Sequence, residues 1–291
     1  MKKYVFPGVV ALMAATNAFA ADLPRKAVPP IAPVVLPTFS WTGFYFGVNA
    51  GAGFSDDVGK TTTLNSANIT NDQLRSVGLD SVKYKSNGFA GGGQVGYNYQ
   101  VTPGSGLVVG VEADIDYVGL KRSKRWTKNF TDVFTNGTLV QRADLNARDG
   151  LDFLGTVRGR VGFAFDRVLV YGTGGLAYGS TSYRHSLTLT NTYTPTGAAS
   201  ATDVETFAAQ KSGTQTGYAF GGGVEYALPA DSFLNLLRSN AVTIKAEYLR
   251  YDLGSRSAVQ YDSTGKVPWT TTKIRSAGNV VRAGLNFKFG L

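Results

Sequence analysis

The chain has 291 residues, no cysteine, one histidine and a formal net charge of +9. Without cysteine it can form neither disulfides nor thiolate metal sites. Beyond its N-terminal segment it has no run of about 18 apolar residues, which excludes a helical membrane protein but not a barrel, whose apolar residues alternate. The 36 glycines, 15 tyrosines and 17 phenylalanines suit such a barrel. Aromatics form its interfacial girdles and glycines relieve crowding where strands twist or face a narrow lumen.

Met1-Lys2-Lys3 is a basic start, Tyr4 to Thr16 an apolar core and Ala18-Phe19-Ala20 a small-x-small cleavage site. Residues 1–20 therefore read as a signal peptide with Ala21 as the mature start. A membrane anchor helix is the rival reading, but the stretch is too short and carries Pro7. Without Lys2 and Lys3 the charge is +7. On an exported chain it points to anionic partners, with lipopolysaccharide phosphate the nearest, and not to nucleic acid. Residues 21–39, with five prolines, read as an extended periplasmic lead. Residues 40–291 then read as an outer-membrane β-barrel.

In that region apolar and polar residues alternate with period two, as in strands with one greasy and one wet face. Phe44, Phe46, Val48, Ala50, Ala52 and Phe54 share a face of the first predicted strand. A second strand, about 88–101, sets Phe89, Val95, Tyr97, Tyr99 and Val101 against Gln94, Asn98 and Gln100. The third, about 107–119, sets Leu107, Val109, Val111, Ala113, Ile115 and Tyr117 against Glu112, Asp114 and Asp116. The fourth, about 150–165, places Leu151, Phe153, Val157, Val161, Phe163 and Phe165 opposite Asp152, Thr156, Arg158 and Arg160. The faces of the fifth, about 168–180, do not separate. The sixth, about 216–228, carries Tyr218, Phe220, Val224, Tyr226 and Leu228 against Gly217, Ala219 and Glu225. The seventh, about 241–253, carries Val242, Ile244, Ala246 and Tyr248 against Lys245 and Glu247. The eighth, Val281 to Leu291, is apolar at every odd position and polar, charged or glycine at every even one.

Gaps after strands two, four and six are about 5, 2 and 12 residues, whereas the other four run from about 22 to 35, a pattern of short periplasmic turns and long extracellular loops. The fold class is thus all-β: an eight-stranded antiparallel transmembrane barrel with four long loops. A secreted β-sandwich, with strands of about 5–6 residues, fits these spacings badly. The insert at 229–240, with Phe233-Leu234-Asn235-Leu236-Leu237, is long for a tight turn and reads as a short interfacial helix.

Charge inside the strands is the second line of argument. Glu112, Asp114, Asp116, Arg158, Arg160, Glu225, Lys245, Glu247, Arg282 and Lys288 all lie opposite the apolar face. A basic residue facing lipid at mid-bilayer costs about 2–4 kcal/mol, so these groups must point into the lumen. The lumen of eight strands is just wide enough for side chains to fill it, so the acids and bases should pair into a plug. A narrow conducting pore is the alternative.

Three further features suggest chemistry. Gly172-Thr173-Gly174-Gly175-Leu176-Ala177 imitates a dinucleotide-binding loop, but Tyr178-Gly179-Ser180 follows where a helix is required. His185 is the single imidazole available as an axial haem ligand, against the simpler reading of a solvated loop side chain. With no second imidazole and no nucleophile–base pair, the sequence argues against an enzyme. Lys121, Arg122, Lys124, Arg125 and Lys128 surround Trp126 at the start of the second long loop. They form a candidate patch for anionic lipopolysaccharide or sulfated glycan, weighed against a solvated charge run.

Ala20-Ala21-Asp22-Leu23-Pro24, Phe39-Ser40-Trp41-Thr42-Gly43-Phe44-Tyr45-Phe46-Gly47, Gly222-Gly223-Val224-Glu225-Tyr226-Ala227, Lys245 to Gly254 and Val281 to Phe289 together resemble alphaproteobacterial outer-membrane surface antigens. The resemblance covers the barrel and not the loops. It implies an eight-stranded barrel placed by the barrel-insertion machinery, with haem-binding or porin-like members, possible contact with a host surface, and no catalytic residues. The chain departs from the family pattern in ending Phe289-Gly290-Leu291 instead of on an aromatic residue. The expected role is a structural barrel that displays surface loops and supports the envelope; a ligand-binding surface protein and a narrow channel are the alternatives.

Overall fold

Alternation becomes strand wherever one face can be buried and the other covered. In the computed structural model, which describes residues 38–63, 81–229, 232–261 and 268–290, it yields eight strands. They are β1 (Gly43–Thr63), β2 (Ser81–Gln100), β3 (Ser105–Phe134), β4 (Gly137–Phe165), β5 (Val168–Pro195), β6 (Ala201–Ala227), β7 (Ala241–Tyr261) and β8 (Pro268–Phe289). The predicted signal peptide and most of the Pro-rich lead lie outside the described residues. Each strand pairs antiparallel with its chain neighbours, and β8 returns to β1 with Phe289 opposite Phe44 and Val281 opposite Ala52. Every strand therefore has two partners and the sheet presents no open edge, which removes the usual template for aggregation.

The predicted faces hold along most of the wall. Val111 is 61% exposed while its neighbour Glu112 is 3% exposed, and Leu176 reaches 70%. Large apolar side chains outside and charged ones inside invert the ordinary rule for a protein in water. Strand β5 resolves where the sequence left two faces merged. Leu169, Tyr171 and Ala177 point inward and Val170 and Leu176 outward; both faces are apolar because its lower interior half joins a buried cluster with Trp41, Val108 and Ala164.

Four expectations need correction. The second and third long loops are largely strand: β3 runs to Phe134 and turns within two residues into β4, and β5 and β6 extend likewise. Thr-rich and alternating sequence there pairs across strands, as in Thr188 with Thr206 and Thr192 with Thr202, which competes successfully with a disordered loop. In the first and fourth gaps, 64–80 and 262–267 lie outside the described residues. Leu151 is buried, not lipid-facing, because a bulge between Leu151 and Phe153 adds one residue and switches the parity of the strand above it. Val242 is likewise buried, at the closing turn where its carbonyl accepts from Leu228 N at 2.8 Å. The 229–240 insert forms turns among its described residues, closed by Asn235, whose Nδ2 donates to the Ser239 carbonyl and whose Oδ1 accepts from Ser239 N, both at 2.8 Å.

Candidate functional site

The interior is layered. At the end where the chain enters, Trp41 is 1% exposed and packs with Val108, Leu169, Tyr171 and Ala227. Its Nε1 donates to the Asp166 carbonyl at 3.0 Å, and Phe39 meets its ring edge-on. Above it lies the charged layer, and above that a second apolar layer of Val118, Leu120, Leu151, Leu154, Leu249 and Tyr251 with their neighbours.

Register explains the charged layer. Glu112 lies directly opposite Arg158 and Glu247 opposite Arg282, so strand pairing alone brings opposite charges into one row. Arg158 Nη2 donates to Glu112 at 2.7 Å and Asp114 at 2.6 Å, and its Nη1 reaches Glu247 at 3.3 Å. Arg282 Nη2 donates to Glu247 at 2.6 Å and Asp114 at 3.0 Å, while its Nη1 donates to Asp116. Arg160 holds Glu225 at 2.8 Å, and Lys245 Nζ holds Glu112 at 3.1 Å. Arg158, Arg282 and Lys245 are at most 2% exposed. Burial of single charges is prohibitive, and only such multiple charge-assisted bonds offset it. Nine of the ten predicted interior groups meet in this network. Lys288 is also buried, but it sits nearer the chain entry, 5.7 Å from the Phe39 ring centroid.

Several members were not singled out in the sequence. Tyr45 Oη donates to Glu112 at 2.7 Å and accepts from Arg160 Nη1 at 2.9 Å. Tyr171 Oη donates to Glu247 at 2.9 Å, and Asn286 Nδ2 to Glu225 at 2.8 Å. Tyr45 and Asn286 were legible by parity, since both occupy the polar face of their strands; Tyr171 was not. Tyr45 reaches Glu112 only because Gly96 stands between them in the register. A Cβ at Gly96 would lie 2.4 Å from the Tyr45 hydroxyl and 2.7 Å from the Val111 carbonyl. Gly96→Val should therefore destabilise the folded barrel by about 1–3 kcal/mol through overpacking. Urea unfolding in lipid vesicles measures this, and a neutral result would mean that Tyr45 does not cross the lumen.

His185 is not a solvated loop residue. It lies on β5, 4% exposed, with Nε2 3.2 Å from Asp149 Oδ1 and its ring 4.0 Å from that of Tyr183. Burial pushes the Tyr183 hydroxyl up to about 12. The ring nitrogen that a haem iron would use thus faces a carboxylate within a packed interior. The Gly172–Ala177 segment is strand β5, so no helix N-terminus stands where a pyrophosphate would need one.

The predicted cationic patch is also strand. Alternation divides it: Lys121 and Arg125 continue the outer face of Val111 and Tyr117, whereas Arg122, Lys124, Trp126 and Lys128 continue the face of Glu112 and Asp116. Lys128 Nζ stands 5.5 Å from the Trp126 ring centroid, and Arg125 Nε donates to Asn146 Oδ1 at 2.9 Å. Arg122 lines an interior cavity of about 30 Å³ with Tyr183, Lys211 and Arg256, room for a water or two.

A closed antiparallel sheet with apolar residues outside and buried ion pairs inside defines an outer-membrane β-barrel protein. The family model described as "Outer membrane protein beta-barrel domain" matches residues 9–289, and the chain belongs to that family. It is 33% identical to the 31 kDa outer-membrane immunogenic protein of Brucella melitensis, over 99% of this chain and all of that one. It is 29% identical to the 22 kDa outer membrane protein of Rhizobium leguminosarum, over 76% of this chain and 69% of that one. The crystal structure of Ail from Yersinia pestis is 13% identical, covering 83% of this chain and 99% of its own, with a TM-score of 0.24, too low to carry an argument. The chain is thus an outer-membrane protein related to proteins named for their immunogenicity, and among the described residues no His, Cys, Asp and Glu cluster could hold a metal ion.

Proposed function

We propose that the chain is a structural barrel spanning the outer membrane, with a sealed lumen and an extended surface rim. The observation that carries this is the layered interior, in which Trp41 and its neighbours, the ion-pair network and the Leu120–Leu249 layer succeed one another. The outward apolar run from Leu107 to Tyr117 on β3 spans eleven residues, which at about 3.3 Å each and about 45° tilt cover the apolar band of about 25 Å. The turns at 101–104 and 166–167 then belong to the periplasmic side, and the extended β3–β6 strands project outward. Lipid, lipopolysaccharide and the insertion machinery are the partners this implies. A host contact would fall on the projecting strands.

A sealed lumen makes a direct prediction. The refolded mature chain, inserted into planar bilayers and shown to be heat-modifiable, should give no resolvable channel steps. Steady unitary conductance would make the narrow pore the correct reading. Of the ligand-binding alternatives, haem draws no support from His185, whose Nε2 is directed at Asp149. An anionic saccharide draws support from the cations above the apolar belt.

A further inference from the structure

Four adjacent strands form an outer-face groove of about 370 Å³, lined by residues 121–123, 148–150, 182–184 and 210–212 together with Asp152. Lys121, Arg148, Ser182 and Arg184 continue the outward faces of β3, β4 and β5, so their side of the groove opens on the outer wall, while Arg122, Asp149, Tyr183 and Lys211 also line the interior cavity. Gly150, Ser182 and Ser212 supply its small side chains, and Lys121, Arg148 and Arg184 its outward cations. Arg148 and Arg184 are direct cross-strand partners. Like charges so placed repel one another. Among the described residues neither arginine, nor Lys121, makes a salt bridge, and the nearby acids Asp149 and Asp144 are engaged by His185 and Arg142. Asp152, which the sequence placed on the inward face, is half-buried at the bulge between Leu151 and Phe153 and is the groove's second carboxylate. Two unpartnered guanidinium groups side by side are a fork for a phosphoryl group, which each can bind through two N–H donors.

The position of the groove selects the source. On β3, Lys121 lies four residues beyond Tyr117, and on β5, Arg184 lies six beyond Tyr178. At about 3.3 Å per residue and 35–45° tilt, the cations stand roughly 10–15 Å above the aromatic girdle. That is the level of the saccharide on a membrane-anchored glycolipid, above its acyl chains.

We infer that the Lys121–Arg148–Arg184 groove binds a phosphorylated saccharide of outer-leaflet lipopolysaccharide. The inference rests on the membrane-spanning reading, and the test separates the two. Wild-type chain and R148S/R184S are refolded into vesicles and checked for heat-modifiability and protease protection of the belt. Binding of purified lipopolysaccharide to detergent-solubilised folded protein is then measured at two salt concentrations. The double variant should bind about tenfold or more weakly, the scale of losing one or two charge-assisted hydrogen bonds, and wild-type binding should fall with salt. Dephosphorylated lipopolysaccharide should lose a similar factor. Failure of the wild-type chain to insert would sink the spanning reading. Normal insertion with equal binding by wild type and variant, or indifference to dephosphorylation, would overturn the groove assignment. Competition by millimolar inorganic phosphate at constant ionic strength would assign the groove to a soluble anion and overturn the glycolipid source.

Discussion

Arg158→Met should destabilise the barrel by about 3–5 kcal/mol, the usual result of removing one partner from a buried ion network. Arg158 is shared by Glu112, Asp114 and Glu247, so its loss leaves three carboxylates facing one another with Lys245, Arg160 and Arg282 as the remaining bases. Acids outnumber bases in this layer even before the change: Glu112, Asp114, Asp116, Glu225 and Glu247 against Arg158, Arg160, Lys245 and Arg282. Losing a base should accordingly be worse than losing an acid at its edge, such as Asp116→Asn. Neutralising one acid in the Arg158→Met background, as Glu112→Gln, should recover part of the loss and not all of it, because no single carboxylate is the sole partner. A double-mutant cycle by urea unfolding in vesicles measures both effects. A loss below about 1 kcal/mol would signify water around Arg158 in place of a dry network, and the channel reading would gain.

The pattern of recovery from sequence follows from where one physical rule acts alone. In β3 from Leu107 to Tyr117, lipid on one side and ion pairs on the other force strict alternation, so Glu112, Asp114 and Asp116 could be placed inward by parity. Above the belt water covers the outer face and no apolar period is required. There Lys121 to Phe134 and Ala201 to Gln215 continue as strand with a sequence that also suits loops. Leu151 was misplaced because a bulge changes parity without leaving a compositional mark. His185 was misplaced for the same reason as the patch: a segment taken for loop is wall, and wall has an inside. Pairing partners such as Arg282 with Asp114 lie far apart in the chain and depend on register around the closed sheet, which alternation by itself does not fix.

Val111→Arg should destabilise by about 2–4 kcal/mol if β3 crosses lipid, since a guanidinium near the bilayer midplane carries that penalty. Val111 is suited to the test because it is 61% exposed and so packs against little that the larger side chain could disturb. Its cross-strand partners, Tyr97 and Gly159, leave no acid to neutralise the new charge. Exposure alone could mislead, because a side chain facing water looks the same in an isolated barrel. Val133 supplies the control: it occupies the same strand and is 77% exposed, yet stands sixteen residues beyond Tyr117, well outside an apolar band of about 25 Å. Val133→Arg should therefore fold into vesicles within about 0.5 kcal/mol of wild type, as surface substitutions usually do. The contrast between the two valines isolates the lipid from every property the sites share. Equal penalties at both positions, or none at Val111, would place the belt of β3 in water and remove the basis for a spanning barrel.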